Sequence, residues 1–179
     1  LAVADDRRLD FTGPALVYDS PDEALAAVAA GAIRGGEVVV LRGQGPTGSP
    51  GMGMASRLVF ALDGAGLTGS VAVVTDGQLS GLVNKGIVVG EVSPEAAVGG
   101  PLALVRDGDQ IAIDVAARQV NLDVAGAELR RRRAGLAAPP PSPERGWLSI
   151  YRRLVTPLPQ GAVLRETGAP DRAGGTHAG

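Results

Sequence analysis

The sequence contains no cysteine. That excludes disulfides, a thiolate nucleophile and an iron–sulfur cluster ligated by this chain. The one histidine, His177, lies in a Gly-rich stretch, so a histidine-based zinc site or a Ser-His-Asp triad has almost nothing to be built from. Aromatics amount to 3%, too few for a base-stacking platform or a carbohydrate-stacking cleft. Lys+Arg 17 against Asp+Glu 19 gives a net charge of −2, without the basic excess of a nucleic-acid binder. No apolar run reaches the ~20 residues of a membrane span. The opening residues, LAVADDRRLD, carry neither an initiator Met nor a signal peptide, from which a piece of a longer, cytoplasmic protein is expected. What remains is ordinary globular material: 179 residues, 45% hydrophobic and 20% charged, suited to one domain with one core. With Gly at 27 and Pro at 13, many turns and short elements are expected.

Along the chain, residues 1–12 read as a polar surface segment or linker, 13–165 as the domain and 166–179 as a disordered tail. Residues 15–18 (ALVY) predict a strand. Ser20 then caps a helix with Pro21 at its first position and Asp22 and Glu23 in its first turn, stopping at Gly31. The β-branched run 37–41 (EVVVL) predicts a buried strand. Residues 42–51 hold four glycines and two prolines and must be a loop; 52–62 then has helical spacing. Residues 71–74 and 86–89 predict further strands, and Ser93-Pro94-Glu95 a cap followed by one or two helical turns. Residues 102–105, 107–109 (DGD) and 110–114 read as a hairpin, with another strand at 119–123. A short helix covers 128–133, a linker 137–143, and an amphipathic helix 147–154 with Trp147, Ile150, Tyr151 and Leu154 on one face. Parallel-type strands with helices come early and hairpins late, which predicts an α/β sandwich or a partly closed barrel with helices outside.

Two Gly-rich loops concentrate the chemical signal. Each follows an apolar strand, where ligands bind in α/β folds, and glycines let backbone N–H groups approach an anion. The first, 42–51, lacks the lysine of a nucleotide phosphate loop and by spacing alone is an ordinary Gly/Pro turn. The second, 75–81 (TDGQLSG), holds Asp76 and Ser80, near Lys85, the sole lysine. A lone serine hydroxyl is a poor base and nucleophile until a metal, a helix N-terminus or a general base assists it. The plainer readings are an Asx turn for Asp76, a cap for Ser80 and a solvated amine for Lys85. Likewise Asp107 and Asp109 read as turn residues before calcium ligands, Arg130–Arg133 as a solvated helical face before a phosphate site, and Met52 and Met54 as packing residues.

The order of GPALVYDSPDEA, VVVLRGQGPTGSPGM, VAVVTDGQLSG, GEVSPEAAVGGPLALVRDGDQIAID and ELRRRR resembles the C-terminal domain of the dihydroxy-acid dehydratase / 6-phosphogluconate dehydratase family, over roughly residues 13–165. The resemblance implies a swivelling β/β/α domain, a β-barrel-like core flanked by helices. It implies a hydro-lyase that converts 2,3-dihydroxy acids, branched-chain precursors or sugar acids, to 2-keto acids. It implies an iron–sulfur cluster and Mg²⁺, held mainly by an N-terminal domain, and a homodimer. By the same carry-over Ser80 takes the C2 proton, and Asp76, Gly77, Gln78, Gly81, Gly48 and Ser49 line the substrate site. No metal ligand falls within this chain, because the family's magnesium-binding Glu position is Met54, and a thioether suits hard Mg²⁺ poorly. Gln44, Gln78 and Glu91 are further departures, replacing the family's Glu, Arg and His.

Two readings stand side by side: a dehydratase domain, and a non-catalytic relative that keeps the fold for small-anion binding or assembly. A mobile phosphate-carrying module is a third, by fold analogy alone, and lacks any histidine to phosphorylate except His177.

Overall fold

The β-branched run at 37–41 forms the centre of the sheet in the computed structural model, which describes residues 10–50, 55–137 and 145–165. That run is β2 (Val38–Leu41). It pairs in parallel with β1 (Asp10–Tyr18) and β3 (Ala72–Thr75), and β3 pairs in parallel with β4 (Ile87–Val89). Val39 and Leu41 enter one apolar cluster and Val38 and Val40 another, so β2 is buried on both faces. A strand covered on both sides reads as a continuous apolar run instead of an alternating one.

The first cluster is closed by α1 (Pro21–Ala29) and α2 (Ser56–Gly64), through Ala24, Leu58, Val59 and Leu62. Burying each larger aliphatic side chain contributes about 1.5–3 kcal/mol. α1 starts as its sequence dictates: the Ser20 hydroxyl accepts the Glu23 N–H at 3.2 Å, with Pro21 at the first helical position. It ends where Gly31 takes a left-handed conformation (φ 66°), open to glycine without a Cβ penalty.

The second cluster is completed by Phe11, Leu102, Val105, Ile111 and Ile113. Here two expectations are corrected. Residues 10–12 are not a surface segment: β1 begins at Asp10, and its first half pairs antiparallel with β5 (Gln110–Asp114). Residues 102–105 are not a hairpin strand. Pro101–Leu104 is a 3-10 turn, favoured by Pro101, whose fixed φ and missing N–H suit a first helical position. The Leu102 and Val105 carbonyls accept hydrogen bonds from the Arg42 guanidinium at 3.3 and 3.0 Å, while Arg42 also grips Asp19 at 2.6 Å. The hairpin is instead β5 with β6 (Gln119–Asp123).

The sheet order is β4-β3-β2-β1-β5-β6. It curls into a half-barrel accompanied by four helices, the α/β, barrel-like architecture expected. The remaining helices are α3 (Gly126–Ala134) and α4 (Trp147–Leu154). No helix among the described residues is long and apolar enough to cross a membrane. The tail at 166–179 and most of the 137–143 linker lie outside the described residues.

α3 is held by charge. Arg132 donates to Asp109 Oδ1 at 3.0 Å and to Glu128 Oε1 at 2.8 Å. Burial raises the Asp109 carboxyl, but hydrogen bonds from Arg132 and the Arg106 backbone, with the charges of both arginines, outweigh it and hold it below the usual value. The Arg132 hydrogen bond likewise lowers Glu128, against burial and with help from the charges of Arg131, Arg132 and Arg106. Asp109 and Glu128 together keep Arg132 firmly protonated. One arginine of the run is thus an anchor, not part of a solvated face. Asp107 serves the turn, accepting the Val17 N–H at 2.7 Å.

Candidate functional site

The loops leaving β2, β3 and β4 meet beyond the carboxyl ends of the parallel strands, where an α/β sheet places ligands. Two buried carboxylates join them. Asp76, the residue after β3, accepts the Gly43 and Gln44 N–H groups from the first loop at 3.0 and 2.8 Å, and the Ala96 N–H from the third at 2.8 Å. Glu95, in the third loop, accepts the Thr47 N–H at 2.9 Å and the Gly48 N–H at 2.8 Å. The Gly-rich first loop does cradle anions, and they are the protein's own. Its N–H groups at 43, 44, 47 and 48 point inward to these side chains.

Close packing explains the glycines. A Cβ on Gly48 would sit 2.6 Å from the Gly43 carbonyl oxygen and 3.1 Å from the Ala97 Cβ. At Gly45 it would meet the Glu95 side chain, with Oε2 at 2.5 Å. Only glycine lets the loop approach so nearly.

The second loop is fixed separately. The Ser80 N–H donates to the buried Ser56 hydroxyl, the first residue of α2, at 2.7 Å. The Ala55 N–H donates to the Gln78 carbonyl at 3.2 Å and the Glu91 N–H to the Gly77 carbonyl at 3.1 Å. The Ser80 hydroxyl accepts the Leu82 N–H at 3.3 Å and is half-buried. Leu79 turns into the core while Gln78 and Ser80 stay partly accessible and Gly81 is exposed. Ser80 therefore sits on a braced turn against the amino end of α2.

The structure brings the sequence-predicted residues into one loop cluster but divides them. Ser80, Gln78, Ser49 and Gly81 retain solvent access, whereas Gly77 is buried. Asp76 is wholly buried, its carboxylate spent on backbone donors. Gly48 is partly accessible, with its N–H committed to Glu95. Gln44 is buried, its amide within 3.4 Å of the Arg42 carbonyl. Lys85 pairs with Asp63 at 3.6 Å on the surface. Met52 and Met54 lie outside the described residues. Among the described residues no group of three or more His, Cys, Asp or Glu side chains could hold a metal ion.

Glu95 is the residue that sequence reasoning missed. It reads as part of a helix cap, and it does stand at the cap of the 3-10 turn Ala96–Val98, yet its side chain makes no cap bond. Its partners are 48 and 47 residues away, and no local pattern announces them.

The family model for the dihydroxy-acid/6-phosphogluconate dehydratase C-terminal domain matches residues 1–162. The chain is 51% identical over 156 residues to a dihydroxy-acid dehydratase of Pyrobaculum aerophilum, covering 87% of this chain and 28% of that protein. It is 50% identical over 157 residues to one of Anaeromyxobacter dehalogenans, with coverage of 88% and 28%. A third, from Ruminiclostridium cellulolyticum, is 45% identical over 160 residues, with coverage of 89% and 29%. The chain thus spans somewhat over a quarter of the length of these relatives.

Proposed function

From the premise that this chain belongs to the dihydroxy-acid/6-phosphogluconate dehydratase C-terminal family, we propose that it is the substrate-facing C-terminal domain of a hydro-lyase. The reaction removes water from a 2,3-dihydroxy acid, a branched-chain precursor or a sugar acid, and yields the 2-keto acid. The single observation that carries this reading is the braced presentation of Ser80 within a chain matching such enzymes over most of its length.

In this reading the Ser80 Oγ, as alkoxide, takes the proton from C2. The electrons of that C–H bond become the C2–C3 π bond, and the C3–O bond breaks. The departing hydroxide takes the proton back from Ser80 and leaves as water. The resulting enol tautomerises to the ketone. The Leu82 N–H aimed at Ser80 Oγ favours negative charge there. Gln78, Gly81 and Ser49 are the accessible groups that would contact the acid. Gly77 shapes the turn, and Asp76 and Gly48 act through the backbone they hold.

The iron–sulfur cluster and Mg²⁺ of the family find no set of ligands here, since the chain has no cysteine and its described residues offer no metal-binding group. Their ligands belong, in this reading, to the remainder of a longer protein, and no step above passes through them. That remainder and a second copy of the chain are the proposed partners. The small-anion alternative is disfavoured, because the N–H groups it would use are taken up by Asp76 and Glu95.

The test is a dehydration assay on the full-length protein, purified without oxygen and supplied with Mg²⁺, across dihydroxy and aldonic acids. Formation of a 2-keto acid that falls about 10²–10⁴-fold in Ser80→Ala is expected of a general base. Turnover unaffected by Ser80→Ala would refute its role. No turnover, with no metal bound, would favour the non-catalytic relative.

A further inference from the structure

We infer that Glu95 is a positioning residue of this site, setting the backbone at Thr47 and Gly48 and so the placement of Ser49. The inference rests on the hydro-lyase reading for its kinetic part and on geometry alone for the rest.

Glu95 is nearly excluded from solvent, yet none of its side-chain hydrogen bonds serves its own segment. Both oxygens face the first loop: Oε1 accepts from Thr47 N at 2.9 Å, and Oε2 from Gly48 N at 2.8 Å and Thr47 N at 3.1 Å. Hydrogen bonds to a charged acceptor in a buried setting are strong and directional. The side chain lies along Gly45, which has no Cβ to displace it. Its own backbone is fixed in turn, the Glu95 carbonyl accepting from Val98 N at 3.2 Å and Gly100 N at 3.0 Å. Within the loop the Ser49 N–H closes on the Gly45 carbonyl at 2.8 Å, so a shift at 47–48 carries Ser49 with it. The Ser80 turn has separate anchors in Ser56, Ala55 and Glu91. Loosening Glu95 should therefore weaken substrate binding more than it slows the proton transfer.

Glu95→Gln is the decisive variant in the full-length protein. It is isosteric, but its amide NH₂ faces an N–H donor and cannot accept from it. Hydrogen exchange resolved to single amides should accelerate by about tenfold or more at whichever of Thr47 and Gly48 faces the new NH₂, roughly the loss of one buried hydrogen bond. Exchange at Gly43 and Gln44, held by Asp76, should not change. KM for the dihydroxy acid should rise about tenfold, with kcat within about threefold, since small misplacement of a binding group has effects of this order. Glu95→Asp, which keeps the charge but is one methylene shorter, should lie between Gln and wild type. It carries the same test should Glu95→Gln not fold. Unchanged exchange at Thr47 and Gly48, or faster exchange with unchanged KM, overturns the inference. A full-length protein that turns over none of the acids overturns the hydro-lyase reading, while the exchange pattern still decides whether Glu95 holds the loop.

Discussion

The sheet divides into halves that are built differently. In the parallel half, β2 and β3 are buried along their whole length, and α1 and α2 press against one of their faces. In the antiparallel half, β6 is almost wholly exposed, and α3 buries no residue. The parallel half rests on apolar burial. The far end of the antiparallel half rests on polar ties, with Arg132 bridging Asp109 and Glu128. Every loop of the candidate site leaves the parallel half. The rigid, doubly covered strands supply a fixed base, so that short Gly-rich loops can be set by a few hydrogen bonds.

On the proposed hydro-lyase reading, Ser80→Ala should carry the largest effect, a loss of turnover in the full-length protein with little change in its thermal melting. The next contrast breaks the two halves apart by stability. Leu58→Ala, in the α2 face of the core, should cost about 2–5 kcal/mol. Val120→Ala, on exposed β6, should stay within about 0.5 kcal/mol. Urea unfolding of both variants checks it, and equal losses would dissolve the distinction.

Asp76→Ala should cost about 1–3 kcal/mol, because it strands backbone N–H groups at 43, 44 and 96 in a buried setting. Its activity loss should exceed its stability loss, since it unfastens the first and third loops together. Thermal melting set beside kcat/KM reads the two.

The smallest effect is a pH dependence confined to the antiparallel half. The folded Asp109 carboxyl lies below its ordinary value of 3.8. The unfolded chain therefore binds that proton more readily than the folded one. The stabilisation is complete above the ordinary value and is lost as pH falls through the lower, folded one. Urea midpoints measured from neutral pH down through this range should fall more steeply for the wild type than for Arg132→Met.

The parallel half was legible because each of its strands is a compact apolar run and α1 carries its own start and stop signals. Three elements were less so. The alternation in Asp10–Pro14 is only Phe11 and Gly13 inward, too short and too Gly/Pro-interrupted to declare a strand. The run at 102–105 has strand-like composition, and only Pro101 and the remote Arg42 decide for a turn. The amphipathic pattern of 147–154 did predict a helix, yet Trp147 and Ile150 remain exposed, since periodicity reports a face and not what covers it. In the site, TDGQLSG was legible as a tight Gly-bounded loop after an apolar strand. The inward turning of the first loop was invisible, because its acceptors come from residues 76 and 95. Long-range hydrogen bonds to backbone leave no spacing to read.

The grip of Asp76 on both Gly43–Gln44 and Ala96 bears on how the domain tolerates rebuilding. The first and third loops share one buried fastener, so neither can change length alone without releasing the other. An engineer grafting a new specificity onto this scaffold would have to transplant them as a matched set. The turn between β5 and β6, at residues 115–118, has no such long-range bond among the described residues, and it is there that an inserted peptide or reporter should leave the working end of the domain undisturbed.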